Sequence, residues 1–199
     1  SACLVGSEMC IRDRPGVHTL LEYPIAELRD YIDWQPFFNA WEMKGRFPDI
    51  LNNPATGEAA RKLYDDAQEM LDKIIEEKWI EARGVYGLFP ANSTGEDVIV
   101  YADDSRTEER ATLFQLRQQG QHRDGISNKS MADFVAPVGE GADHVGAFAV
   151  TAGIGLPDRV KAFKDDLDDY SAILVEALAD RLAEAFAERL HERVRTEFW

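Results

Sequence analysis

Apolar residues recur along this chain first at helical spacing, then in strand-like runs, then at helical spacing again. In Pro24-Ile-Ala-Glu-Leu-Arg-Asp-Tyr-Ile32 the proline suits a first helical turn and Ile25, Leu28 and Ile32 share one face, which predicts a short helix. Asp33 then stands where a helix N-cap would, ahead of an aromatic helical stretch with Phe37, Phe38, Trp41 and Met43 that ends at Gly45. Across 56–78, Ala60, Leu63, Tyr64, Ala67, Met70, Leu71, Ile74 and Ile75 mark one long amphipathic helix.

The period then changes. Residues 84–89 and 97–102 read as two strands of a hairpin joined by the turn-forming run 90–95. Further strands are expected at 111–116, at 133–136 and, buried between glycines, at 144–151, with a polar loop over 118–129. From Pro157 to the end good helix formers run without proline or glycine, predicting one long helix or two nearly collinear ones. Leu174, Leu178, Leu182, Phe186, Leu190, Val194 and Phe198 recur at intervals of four. Each step turns ~400°, so the stripe drifts ~40° per step and must meet different neighbours along its length. The pattern stops at Phe198-Trp199 with no cap, which reads as a chain cut in mid-element. Helix, hairpin and helix in this order predict one α+β domain with a mostly antiparallel sheet rather than a doubly wound parallel one.

Composition narrows the function. At 199 residues, 45% hydrophobic and 30% charged, the chain has the balance of a globular protein with a real core. A net charge of -15 repels phosphate backbones and anionic membrane surfaces, so neither nucleic acid nor a membrane is an expected partner. No run approaches the ~20 apolar residues of a spanning helix. The two cysteines, Cys3 and Cys10, lie in the opening segment, and 15–199 holds no thiol. Thiolate zinc sites and disulfide frameworks are thereby excluded, and a reducing, cytoplasmic location is expected. Residues 1–14 show no period and resemble a translated sequencing adapter, so they are set apart from the fold and expected to be poorly ordered.

Catalytic signatures are missing: there is no nucleophile elbow, no phosphate loop with Gly-Lys and no His-Glu-x-x-His helix. Gly153-Ile-Gly155 lacks the third glycine of a dinucleotide loop and reads as a turn. The acidic run Asp165, Asp166, Asp168 and Asp169 reads as a solvated helix start rather than a cation site. Asp180, Glu184 and Glu188 share a face at four-residue spacing, and Arg181 is placed to neutralise Glu184 and Glu188. Asp33 admits two readings: an N-cap contributing ~1 kcal/mol, or a carboxylate beside Trp34, Phe37 and Phe38 that meets a cationic ligand. Periodicity leaves both open.

Five separated blocks carry more information: Tyr31-Ile-Asp-Trp-Gln-Pro-Phe-Phe38, Arg83-Gly-Val-Tyr-Gly-Leu-Phe-Pro-Ala-Asn92, Ala132-Asp-Phe-Val-Ala-Pro137, Gly146-Ala-Phe-Ala-Val-Thr151, and Asp168-Asp-Tyr170 continuing through Ala177–Glu188 to His191-Glu-Arg-Val194. In unbroken order over roughly 20–199 they resemble the C-terminal S-adenosylmethionine-binding activation domain of cobalamin-dependent methionine synthase. The resemblance implies a C-shaped α+β domain around a bent antiparallel sheet, here C-terminally truncated and spanning 15–199. It also implies a role in methionine biosynthesis within a larger methyltransferase, where the domain supports reductive reactivation of cob(II)alamin with S-adenosylmethionine as methyl donor. The implied partners are a cobalamin-binding domain of the same protein and a flavodoxin-type electron donor; cobalamin itself, and the zinc of the homocysteine domain, belong to domains outside this chain.

In that family the aspartate matching Asp33 binds S-adenosylmethionine and the glutamate matching Glu184 lies close to it; Tyr31, Trp34 and Phe37, next to Asp33 in sequence, are expected as walls of the site on their position alone. The family's Arg-Pro-Ala-Pro-Gly-Tyr stretch, which also holds the ligand, has no counterpart in 1–199. The chain alone is therefore expected to catalyse nothing, with no catalytic or metal residue of its own, and to bind S-adenosylmethionine weakly or not at all. The competing expectation is an acidic docking module for a cobalamin domain or flavodoxin-type partner, without ligand binding of its own.

Overall fold

The computed structural model describes residues 16–121, 125 and 127–198. Segment 1–14 with Cys3 and Cys10, His122 and Trp199 lie outside the described residues. The order is β1 (Gly16–Tyr23), a 3-10 turn (Ile25–Tyr31), α1 (Trp34–Ala40), α2 (Gly57–Glu76), β2 (Glu81–Ser93), β3 (Val98–Tyr101), β4 (Glu109–Leu113), β5 (Asp143–Ile154), α3 (Leu156–Asp165), α4 (Asp169–Arg193) and a π turn (Val194–Phe198). The sheet runs β1-β2-β3-β4 with β5 also paired to β2, and the β2-β3 and β3-β4 pairs are antiparallel. This is the expected α+β class. The described residues fall into two compact units: 16–18 with those of 86–148, and 19–85 with 149–198.

The first unit holds the predicted hairpin, in register Ala91 with Val100 and Ser93 with Val98. Its small core gathers Ala91, Val98 and Ala132, with Val135 and Val145 packed on it. β2 runs on through Pro90 and Ala91 to Ser93, into the stretch expected to turn at 90–95. Asn92 explains the extension: buried, it donates to the carbonyls of Ala136 (3.0 Å) and Gly141 (2.7 Å) and accepts from Arg106 at 2.8 Å. Arg106 also reaches the carbonyls of Ala91 and Asp143. These bonds satisfy polar groups that burial would otherwise penalise.

Residues 133–136 are not the expected strand. Met131–Phe134 forms a 3-10 turn in which the Ser130 hydroxyl accepts from the Ala132 N–H and the Asp133 carboxylate accepts from the Ser130 N–H at 2.8 Å. Reciprocal capping by this Ser-x-x-Asp pair outweighs the short apolar run that suggested extension. β5 forms as expected but is largely uncovered: residues 146–149 are exposed, Val145 and Val150 are half-buried, and Ala152, at 1%, is fully buried. An apolar run reports the tendency to extend rather than what covers it.

In the second unit α2 buries Ala60, Leu63, Ala67, Met70, Leu71 and Ile74, the face predicted from spacing. α4 buries Leu174, Leu178, Leu182, Phe186 and Leu190, and Phe198 continues the line in the π turn. Along its length α4 packs on the 3-10 turn, α1, α2 and α3, as a drifting stripe requires. Phe186 packs on Tyr23 with the rings tilted and their centroids 4.4 Å apart, and lies over Gly84, where an added Cβ would approach its ring to 3.0 Å.

The C-terminal region is neither one helix nor a collinear pair. α3 and α4 pack on each other around a break at Leu167, which takes φ +60° and is 90% exposed. Asp168 causes the restart: its carboxylate accepts from the Ser171 N–H at 2.9 Å and caps α4, the local bond by which aspartate competes with a continuous helix. α1 stops before the expected Gly45, because Glu42 turns left-handed at φ +56° and the Met43 N–H bonds back to the Phe38 carbonyl. Among the described residues no helix is long and apolar enough to cross a membrane.

Phe186→Ala should destabilise the chain by ~3–5 kcal/mol in denaturant unfolding, as loss of a fully buried ring does. A second expectation concerns Asp133, whose carboxyl is held at about 2 by a two-bonded pair with Arg117 and the Ser130 N–H. A depressed carboxyl stabilises the fold above its unfolded value, ~3.9, and the gain is lost as pH falls through the folded value. The melting-temperature gap between the native chain and Asp133→Asn should therefore be open at pH 7 and close between pH ~4 and ~2.

Candidate functional site

Asp33 sits at the corner between the 3-10 turn and α1. Ile32, extended and 8% exposed, anchors the corner on one side, and Trp34, Phe37 and Phe38 anchor it on the other. The Asp33 carboxylate accepts from the Gln35 N–H at 2.9 Å and is itself exposed. The capping reading is thus realised. A carboxylate offers about four acceptor positions and the cap uses one of them, so capping leaves capacity for a second partner.

The rings beside it do not line a site. Trp34, at 8% exposure, meets Phe37 edge-on at 5.3 Å and Tyr64 of α2 at 4.8 Å, and Phe37 is 1% exposed. They are core, so the expectation that Trp34 and Phe37 wall a ligand fails; aromatic residues ahead of a long helix pack on that helix. Tyr31 is half-buried and its hydroxyl donates to Glu192 of α4. Spacing alone gave no sign of this pairing across 161 positions.

Glu184 projects from the middle of α4 with its side chain 64% exposed, gripped by the Arg181 guanidinium at 2.7 and 3.0 Å. The neutralising partner expected from spacing is the one that forms. Asp33 and Glu184 belong to the same unit, and both the 3-10 turn and α1 pack on the helix that carries Glu184. The Asp33 carboxylate bonds to the Gln35 N–H and the Glu184 carboxylate to Arg181, each a local partner. Two exposed carboxylates on a rigid helical frame favour a cationic ligand by Coulomb attraction.

Two hollows of the second unit lie elsewhere. One of about 550 Å³ is lined by Tyr23, Pro24, Ile25, Ile74, Ile80 and Ala82 among others, and one of about 350 Å³ by Trp41, Met43, Leu63, Asp66 and Tyr170 among others. Neither lining includes Asp33 or Glu184. In the second, Tyr170 donates to Asp66 at 2.7 Å, and burial, followed by that carboxylate, holds the phenol well above its usual range. Of the Gly-Ile-Gly run, Gly153 and Ile154 end β5 and Gly155 alone makes the turn into α3, with φ +91° and an added Cβ 3.0 Å from the Trp79 carbonyl. Among the described residues no group of three His, Cys, Asp or Glu side chains is placed to hold a metal.

With this geometry in hand, the comparison with known proteins is decisive. The family described as "Vitamin B12 dependent methionine synthase, activation domain" matches residues 24–199. The chain belongs to this family. A solved structure described as the MetH reactivation domain bound to AdoHcy superposes with a TM-score of 0.87 at 49% sequence identity, covering 94% of this chain and 57% of that one. The activation domain described here thus spans a little over half the length of that solved chain, with the same mixed helices and antiparallel sheet.

Asp33→Ala should cost the activation domain ~1 kcal/mol through loss of the cap, whereas Asp33→Asn, which keeps an acceptor oxygen in place, should cost only a few tenths. Thermal melts of the two variants separate capping from any role of the charge.

Proposed function

We propose that this activation domain binds S-adenosylmethionine, with Asp33 as its principal carboxylate for the ligand's positive charge and Glu184 as a second. It would thereby support reductive reactivation of cob(II)alamin in a cobalamin-dependent methionine synthase. The observation that carries the reading is the match at 49% identity to a reactivation domain bound to AdoHcy, a molecule that is S-adenosylmethionine without its transferable methyl group. The chemistry of the donor set agrees: S-adenosylmethionine presents a sulfonium and an α-ammonium, and Asp33 and Glu184 present exposed anions. Glu184 is the weaker contributor because Arg181 already balances it.

When bound, S-adenosylmethionine supplies the methyl group that restores methylcobalamin after one-electron reduction. The domain's own part is to hold and orient that donor from a rigid corner; methyl transfer belongs to the whole methyltransferase. This role calls for a cobalamin-binding domain in the same protein and a flavodoxin-type electron donor, and it places the work in the cytoplasm. A ligand-bearing relative favours this reading over an acidic docking module that binds no ligand of its own.

The test is a calorimetric titration of S-adenosylmethionine into the full-length protein that carries this domain. Asp33→Asn should weaken binding by about ten- to a hundredfold, the worth of a charge-assisted hydrogen bond, without a matching loss of melting temperature; Glu184→Gln should weaken it less. Unchanged affinity in Asp33→Asn would retire Asp33 as a ligand group.

A further inference from the structure

We infer that Tyr31, Arg189 and Glu192 are positioning residues that hold the Asp33 corner against α4. They act on ligand binding through Asp33 without touching the ligand, an inference that rests on the reading of Asp33 as a ligand group. The Tyr31 hydroxyl donates to the Glu192 carboxylate, and Arg189 bonds Glu192 at 2.9 Å and reaches the Tyr31 oxygen at 3.4 Å. The same guanidinium lies 5.6 Å from the centre of the Tyr31 ring and 3.7 Å from Glu27. One arginine of α4 therefore grips the 3-10 turn near its start, at Glu27, and at its last residue, Tyr31. On the opposite side Arg29 ties the turn to α2 through Gln68 at 2.7 Å and Asp72 at 2.6 Å.

Asp33 follows Tyr31 by two residues, with buried Ile32 between them and buried Trp34 after it. The backbone from 31 to 34 has little freedom once the phenol is fixed. Glu192 lies eight residues beyond Glu184 on α4, about 12 Å along the axis. The clamp thus fixes the corner bearing one carboxylate to the helix bearing the other, across 151 positions of sequence between Asp33 and Glu184. A ligand charge that is held by a pre-set carboxylate loses less affinity to ordering than one that must first collect it. The pattern of protonation agrees: the Tyr31 hydroxyl is raised above its usual range, chiefly by its bond to Glu192, and Glu192 is lowered, chiefly by its bond to Tyr31.

The test is a double-mutant cycle read by titration of S-adenosylmethionine into the full-length protein. Tyr31→Phe keeps the ring against Arg189 and removes only the hydroxyl. It should weaken binding about tenfold in the native background and leave the affinity of Asp33→Asn unchanged, since the oriented charge is already gone. Glu192→Gln, which retains an acceptor for the Tyr31 hydroxyl, should weaken binding less than Glu192→Ala. The inference is overturned if Tyr31→Phe binds as tightly as the native protein, or if it weakens binding equally in both backgrounds, which is the signature of a structural residue that does not act through Asp33. If Asp33→Asn itself binds normally, the reading of Asp33 fails first and this inference falls with it. Normal binding by Tyr31→Phe beside a weakened Asp33→Asn removes the clamp alone.

Discussion

The second unit depends on the apolar stripe of α4. Leu174, Leu178, Leu182, Phe186 and Leu190 are each no more than 1% exposed, and because the four-residue interval outruns the helical turn, the stripe winds around the helix instead of running straight. A straight stripe would serve one neighbour; this one serves α3, α2, α1 and the 3-10 turn along its length. Each buried leucine or phenylalanine contributes on the order of 2 kcal/mol by leaving water, and the geometry they impose sets where α1 begins. Gly84 belongs to the same constraint, since an added Cβ there would lie 3.0 Å from the Phe186 ring and press on it.

How much of this was legible depended on whether local chemistry or distant packing decided each element. α2 and the α4 stripe were legible because burial at helical period leaves its mark in one continuous stretch. The Asp33 cap was legible for the same reason: cap, first turn and aromatic face lie within a few residues. The failures share a different cause. The strand expected at 133–136 lost to a capping pair formed by Ser130 and Asp133, and the expected continuous or collinear C-terminal helix lost to Asp168, whose short side chain offered the backbone a bond that propensity does not count. β2 ran through a proline because Asn92 found carbonyls more than forty positions away. Arg181 with Glu184 was readable at three-residue spacing, whereas Tyr31 with Glu192 was not, because nothing in either segment names the other.

For function, resemblance supplied what periodicity could not, and the structure in turn changed the meaning of the residues around Asp33. Trp34 and Phe37 are the foundation of the corner and do not line a ligand site. Their burial spends aromatic surface on rigidity, and that rigidity is what an exposed carboxylate needs if it is to meet a cation in a fixed direction. Capping and the proposed ligand contact of Asp33 do not compete, since capping uses one acceptor position of several.

The most direct test of this account is a crystal structure of the full-length protein's activation domain with S-adenosylmethionine. The expected result is an Asp33 carboxylate oxygen within hydrogen-bonding or ion-pair distance of the ligand's ammonium or sulfonium, with the Gln35 N–H bond and the Tyr31–Glu192 pairing intact. A ligand seated elsewhere on the domain, with Asp33 capping α1 and facing only water, would contradict it.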